Sequence, residues 1–302
     1  LSQRGVNGNF GMKLHEHDKY DGSHRARKSF HFFDNVIVCL GTGIENTDSK
    51  HNTETTVFQM AATDAKAQNY WKNYTTGNGK SWLDHAGTGY YTPQPVKFTG
   101  LVKQESRMQN TDKQTEGQWA SLYFDHGKAP KNASYEYAVI PQTTREKIDA
   151  FAAAPTYKVL RADNEAHIVS SDATHTVSYV LFETPKDVLP GGPLLKADTT
   201  CLAMVRMINS KKMLLTVTQP DLALYRGPND DIYKDGIRVE RSVYSRKWRS
   251  NASMEIPVRV TLRGKWNFTG NDAIKLVEQT KKSTTIEFVC TDGLSFNVEL
   301  EK

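Results

Sequence analysis

The stretch that most constrains the fold is residues 25–58, RARKSFHFFDNVIVCLGTGIENTDSKHNTETTVF. Three cations, Arg25, Arg27 and Lys28, lead into an aromatic strand at 29–33. The pair Asp34-Asn35 follows, then an apolar strand at 36–40. Asp and Asn tolerate the left-handed backbone that a two-residue turn demands, so apolar runs on both sides of such a pair read as a β-hairpin. A glycine-bounded loop at 41–52 leads to a third β-rich run at 53–58. A sheet can be built outward from this hairpin.

The remainder repeats the pattern. Short β-rich runs at 10–14, 100–105, 119–125, 134–140, 157–161, 166–170 and 176–183 are separated by turn residues. Residues 77–93 read as a hairpin about Asn78-Gly79. The aromatics Tyr70, Trp71, Tyr74, Trp82, Tyr90 and Tyr91 read as alternating strand positions of a sandwich core, with stacking on sugar rings as the alternative. One helix is predicted over 143–153. Thr143 caps it, Glu146 completes a capping box, Ile148, Phe151 and Ala152 form its apolar stripe, and Pro155 ends it. One helix among many strands gives an all-β class. The architecture expected is a large antiparallel β-sandwich followed by a smaller C-terminal β-sandwich domain. Pro185 and Pro190-Gly191-Gly192-Pro193 mark the boundary, giving a central domain at 1–195 and a second at 196–302, built on strands at 201–209, 211–218, 239–247, 253–262, 274–278, 284–291 and 294–299.

The 302 residues carry 38% hydrophobic and 24% charged side chains, which suits a soluble globular protein with a substantial core. No apolar run approaches the ~20 residues that span a bilayer. The chain starts at Leu1 without a signal peptide and is read as a piece of a longer protein. A net charge of +5 permits an acidic polymer as partner. No basic helix, zinc spacing or RNA-binding signature points to nucleic acid. Three dispersed cysteines with no CxxC read as small buried hydrophobes. His15 and His17 alternate, so both face one side of a strand. With Glu16 and Asp18 they form either a metal cluster or an exposed polar strand end. Glu54, the one acid in its strand, is either a catalytic carboxylate or, more often for such a residue, a solvent-facing or edge charge, and Asn132 opens a chance glycosylation sequon. Asp125 and His126 are adjacent on a strand, point to opposite faces and cannot relay a proton to each other; a turn at the strand end accounts for them. The basic residues Arg238, Arg241, Arg246, Lys247 and Arg249 are either a solvated face or a polyanion contact. No cofactor or metal requirement is legible.

The runs ARKSFHFFDNVIVCLGTGIENT and TETTVFQ, with Thr115-Glu116-Gly117 and DHGKAPKNASYEYAVIP at 125–141, resemble the β-sandwich of polysaccharide lyase family 8, whose members cleave chondroitin, dermatan and hyaluronan. The resemblance extends in order over nearly the whole chain, and within the family it is to the chondroitin sulfate ABC lyases. It implies β-elimination at a uronic acid, performed in the family by an Asn/His/Tyr/Arg set on an upstream (α/α) toroid. No matching motif occurs in this chain, so it carries no catalytic residue and is expected to be inactive alone. The partners implied are an acidic polysaccharide (chondroitin or dermatan sulfate, or hyaluronan) and the toroid of the same protein, in a secreted or periplasmic bacterial setting. The resemblance also implies that a glycine-rich segment, here residues 5–12, reaches the cleft. Arg4, Asn7 and Asn9 are the substrate-binding candidates. The ABC lyases carry Glu about where this chain has Asn7. The glycines shaping a loop are the alternative account, and a non-catalytic carbohydrate-binding or structural module is the alternative function.

Overall fold

A computed structural model describes residues 1–17, 22–108, 111–222, 232–234, 236–239 and 253–302. The all-β expectation holds, and every strand pairing described is antiparallel. The chain forms two compact units. An N-terminal hairpin pairs β1 (Ser2–Gln3) with β2 (Asn7–His15). Leu1–Gly11 belongs with Val159–Lys302, and Met12–Leu14 with Ser23–Lys158.

The unit built on Ser23–Lys158 contains β3 (Arg25–Phe33), β4 (Val36–Glu45), β5 (Asn52–Ala61), α1 (Ala65–Lys72), β6 (Ser81–Leu83), β7 (Gly89–Tyr91), β8 (Lys97–Arg107), β9 (Gln114–Lys128), β10 (Ala133–Ile140) and α2 (Arg145–Ala153). β3, β4, β10, β7 and β6 are successive neighbours in one sheet, and β5-β9-β8 form another. The Asp34-Asn35 hairpin is as read: Phe33 pairs with Val36 across it, and Asp34 takes φ 54°. One core gathers Cys39, Ile44, Phe124, Tyr135 and Tyr137, and a second gathers Phe58, Trp71, Trp82, Tyr90 and Leu122. Each large side chain buried in this way is worth ~2 kcal/mol.

Three local readings change. Residues 65–72 are helical, because Asp64 caps them by accepting from Ala67 N at 2.7 Å and Trp71 is buried on the inner face. Tyr70 and Trp71 are therefore helical residues. The β6–β7 hairpin turns at 84–88, where Asp84 Oδ1 accepts from the backbone of Ala86 and Thr88. Asn78 instead folds its Oδ1 onto the N–H groups of Lys80 and Ser81, forming an Asx turn that leads into β6. The predicted helix begins one residue late: Thr144 is its cap, and Ile148 is its buried anchor.

The other unit contains β11 (Tyr157–Ala162), β12 (Ala166–Ser171), β13 (Thr176–Leu181), β14 (Leu194–Ala197), β15 (Cys201–Asn209), β16 (Lys212–Thr218), β17 (Ile232–Lys234), β18 (Ile237–Val239), β19 (Ile256–Arg263), β20 (Ile274–Gln279), β21 (Ser283–Cys290) and β22 (Phe296–Glu301). A six-stranded sheet, β11-β12-β13-β15-β16-β22, and a four-stranded sheet, β14-β19-β21-β20, share one core. Ile168, Tyr179, Val205 and Leu215 come from the first sheet; Val258, Val260, Ile286 and Phe288 come from the second. Pro190–Pro193 is a sheet-to-sheet crossover within this unit, since β14 spans position 195/196 and pairs with β19. β17 and β18 pair as a small hairpin. The predicted strand at 239–247 beyond Val239, and the basic side chains of 238–249, lie outside the described residues.

Candidate functional site

The β1–β2 hairpin carries all three sequence candidates. Its turn is closed by Val6 N donating to Gln3 O at 3.2 Å, with Arg4 at φ 50° and Gly5 at φ 71°. Glycine adopts that region freely; Arg4 does so at a cost of ~1 kcal/mol. Behind the turn, Gly11 lets β2 approach the sheet closely: a Cβ there would lie 2.5 Å from Val180 Cγ1.

Pairing of Gln3 with Asn7 puts their side chains on one face, and the two-residue period adds Asn9. That face points inward. Gln3, Asn7 and Asn9 are 1%, 4% and 2% exposed. Gln3 Nε2 reaches Thr216 Oγ1 at 3.1 Å and Met204 O at 3.3 Å. Asn7 Nδ2 donates to Thr176 Oγ1 at 3.2 Å. Asn9 Nδ2 reaches Ser178 Oγ at 2.9 Å, Tyr179 O at 3.1 Å and Ala203 O at 3.2 Å. The two asparagines tie the hairpin to the six-stranded sheet through amides shielded from water. Gln3 completes the row, and its signal was available in the spacing Gln3–Asn7–Asn9.

Arg4 is different. Its side chain is 54% exposed at the tip and pairs with Glu299 at 2.6 Å. Glu299 also takes Lys212 at 2.7 Å. These two contacts, Lys212 first, hold the Glu299 carboxyl below its ordinary range. Water screens an exposed ion pair of this kind, which therefore contributes little, so the guanidinium can be exchanged to another oxyanion cheaply.

Four histidines have partners away from the hairpin. His31 is buried with a ring nitrogen 2.9 Å from Ser29 Oγ. His85 takes the Trp71 indole N–H at 3.1 Å. His51 pairs with Asp48 at 2.8 Å on an exposed loop. β9 continues through Asp125-His126 to Lys128, and in place of the expected strand-end turn it carries a bulge, with Gly127 at φ 75° and the register to β5 shifted between Asn52 and Glu54. Asp125 accepts from Lys97 and Asn52, whereas His126 meets Thr55. His15, His17 and Glu54 are exposed. Among the described residues no group of three or more His, Cys, Asp or Glu could hold a metal ion; Asp18 lies outside them. The hairpin thus offers an exposed cation, Arg4, at its tip.

Comparison with known proteins places this geometry in context. The model of the polysaccharide lyase family 8 super-sandwich domain matches residues 2–152. The chondroitin sulfate ABC exolyase of Bacteroides thetaiotaomicron is 58% identical over 100% of this chain, which spans 30% of that protein. The chondroitin sulfate ABC exolyase of Proteus vulgaris is 36% identical over 87% of this chain and 27% of its own length. Among solved structures, the chondroitin AC lyase of Streptomyces coelicolor A3 in complex with chondroitin sulphate superposes with a TM-score of 0.69 at 16% identity, covering 97% of this chain and 35% of that one.

Proposed function

The chain belongs to polysaccharide lyase family 8, and from that premise we propose that it is the C-terminal, β-rich part of a glycosaminoglycan lyase that cleaves chondroitin and dermatan sulfate by β-elimination at the uronic acid. The observation that carries this reading is 58% identity over the whole chain to an ABC exolyase more than three times as long. The remaining length of that relative has room for the helical toroid that bears the proton-transfer groups in the family.

Elimination requires a base for the C5 proton, an acid for the leaving oxygen, and neutralisation of charge that builds beside the carboxylate. In this reading the toroid supplies the first two. The β-units support it and line the polymer track. Arg4 offers a guanidinium fork that suits sulfate or carboxylate oxygens. Asn7 and Asn9 act behind it, holding the strand that presents it. A glycosaminoglycan is too large and too charged to cross a bilayer, so the enzyme works where the polymer is, secreted or in the periplasm.

The test is an assay of the full-length protein on chondroitin and dermatan sulfate, following the ultraviolet absorbance of unsaturated uronate. Arg4→Ala should raise KM roughly fivefold, about 1 kcal/mol, with kcat nearly unchanged. Glu299→Ala should lower KM by freeing Arg4. An unchanged KM in both variants dismisses Arg4, and absence of unsaturated product from the full-length protein dismisses the lyase.

A further inference from the structure

A second group of cations lies in the unit built on Ser23–Lys158. Lys28 of β3 and Tyr135 of β10 are both register partners of Gly41 on β4, so the three form one row across three strands. Gly41 has no side chain, and the Tyr135 ring takes its place: a Cβ at position 41 would fall 2.1 Å from Tyr135 Cε1. The Tyr135 ring reaches across β4 in this way, is only 4% exposed, and lies with its centroid 5.9 Å from Lys28 Nζ. From the facing sheet, His126 of β9 brings its imidazole to 6.4 Å from the same ring. Its Nε2 is 2.9 Å from Thr55 Oγ1 of β5.

Two half-buried basic groups therefore share one aromatic floor. Burying a charge is costly unless an opposite charge compensates it. Among the described residues no carboxylate stands within ion-pair reach of Lys28, and burial holds its ammonium below the ordinary lysine range. Burial also lowers His126; Asp125 opposes that effect and Lys28 reinforces it. Asp125, the neighbour on the same strand, is already committed to Lys97, Asn52 and the Gly127 N–H. Tyr135 from β10 and Thr55 from β5 complete the surroundings, and neither brings a negative charge.

We infer that Lys28 and His126, over Tyr135, form an oxyanion site that takes a sulfate ester or carboxylate of an acidic polysaccharide. The ammonium supplies up to three donors and the imidazolium one, matched to an oxyanion's several acceptors. The choice of polysaccharide rests on the proposed lyase function; the anion site itself does not.

Acylation of Lys28 and carbethoxylation of His126, followed by peptide mass spectrometry on the full-length protein, test this. Sodium sulfate, chondroitin sulfate oligosaccharides and hyaluronan oligosaccharides are compared with sodium chloride at equal ionic strength. Both modification rates should fall by the factor 1 + [L]/Kd, about threefold at twice Kd, while exposed Lys66 is unaffected. Protection by chondroitin sulfate alone identifies the sulfate ester; protection by hyaluronan as well brings in the carboxylate. Lys28→Met should abolish protection of His126, and Lys28→Arg should keep it, with circular dichroism confirming that both variants fold. Equal rates in sulfate and chloride, or protection of His126 that survives Lys28→Met, overturn the site. Protection by inorganic sulfate without protection by either polysaccharide overturns the polysaccharide assignment. Lyase turnover of the same preparation reports separately on the function proposed above.

Discussion

Replacing Asn9 separates a substrate contact from an internal tether. The side-chain amide has two protons spread over Ser178 Oγ, Tyr179 O and Ala203 O, on β13 and β15. Asn9→Ala removes about two hydrogen bonds and strands buried acceptors, a loss of roughly 3 kcal/mol. It also removes Asn9 Oδ1, a buried acceptor with no partner, which returns about 1 kcal/mol. The net expectation is a loss of about 2 kcal/mol. Asn9→Asp is a sharper probe. It sets a carboxylate oxygen against two carbonyls in a buried place, so its folded pKa rises above the unfolded value of about 4. Between those two values the unfolded state holds fewer protons, and stability falls as pH rises. Asn9→Asp should therefore be least damaging at acid pH and should lose further stability toward neutral pH, whereas Asn9→Ala shows no such slope. Urea unfolding followed by tryptophan fluorescence reads both, since Trp266 lies in the core of the same unit. A shift in Asn9→Ala below about 0.5 kcal/mol, the level of an ordinary surface substitution, would refute the tether. So would a pH-independent Asn9→Asp.

Gly41→Ala should destabilise by about 1–3 kcal/mol, because the new methyl meets the Tyr135 ring rather than open space. Adding Tyr135→Ala should recover part of that loss, and strict additivity in a double-mutant cycle would refute the packing argument. The thiols of Cys39, Cys201 and Cys290 are free and buried, with burial pushing Cys39 up to about 12 and Cys290 up to about 11. A thiol reagent at neutral pH should label none of them in the folded protein and all three in urea; stoichiometric labelling of the folded protein would contradict this.

What the sequence disclosed follows the range of the forces involved. The hairpin at 29–40 was legible because its turn residues and apolar runs are adjacent in the chain. α1 was not, since its aromatics Tyr70 and Trp71 favour strands locally, whereas the Asp64 cap and the buried face of Trp71 decide for the helix. Asn78-Gly79 has the composition of a hairpin tip, but its amide is used as a local cap. The family was legible from the run at 26–47 together with the run at 125–141. The roles of Asn7 and Asn9 were not, because the groups that bury them lie about 170 residues downstream. Likewise, nothing local in the sequence announces that Gly41 leaves a seat for the Tyr135 ring that Lys28 and His126 both approach.

In the function proposed above, these strands shape and hold an acidic polymer while the groups that break it lie elsewhere in the full-length protein. Incubating the isolated 302-residue chain with chondroitin sulfate, and following unsaturated uronate in the ultraviolet, tests this most directly. No increase in absorbance is expected from the chain alone, and turnover is expected from the full-length protein under the same conditions. Sustained product formation by the isolated chain would contradict the account.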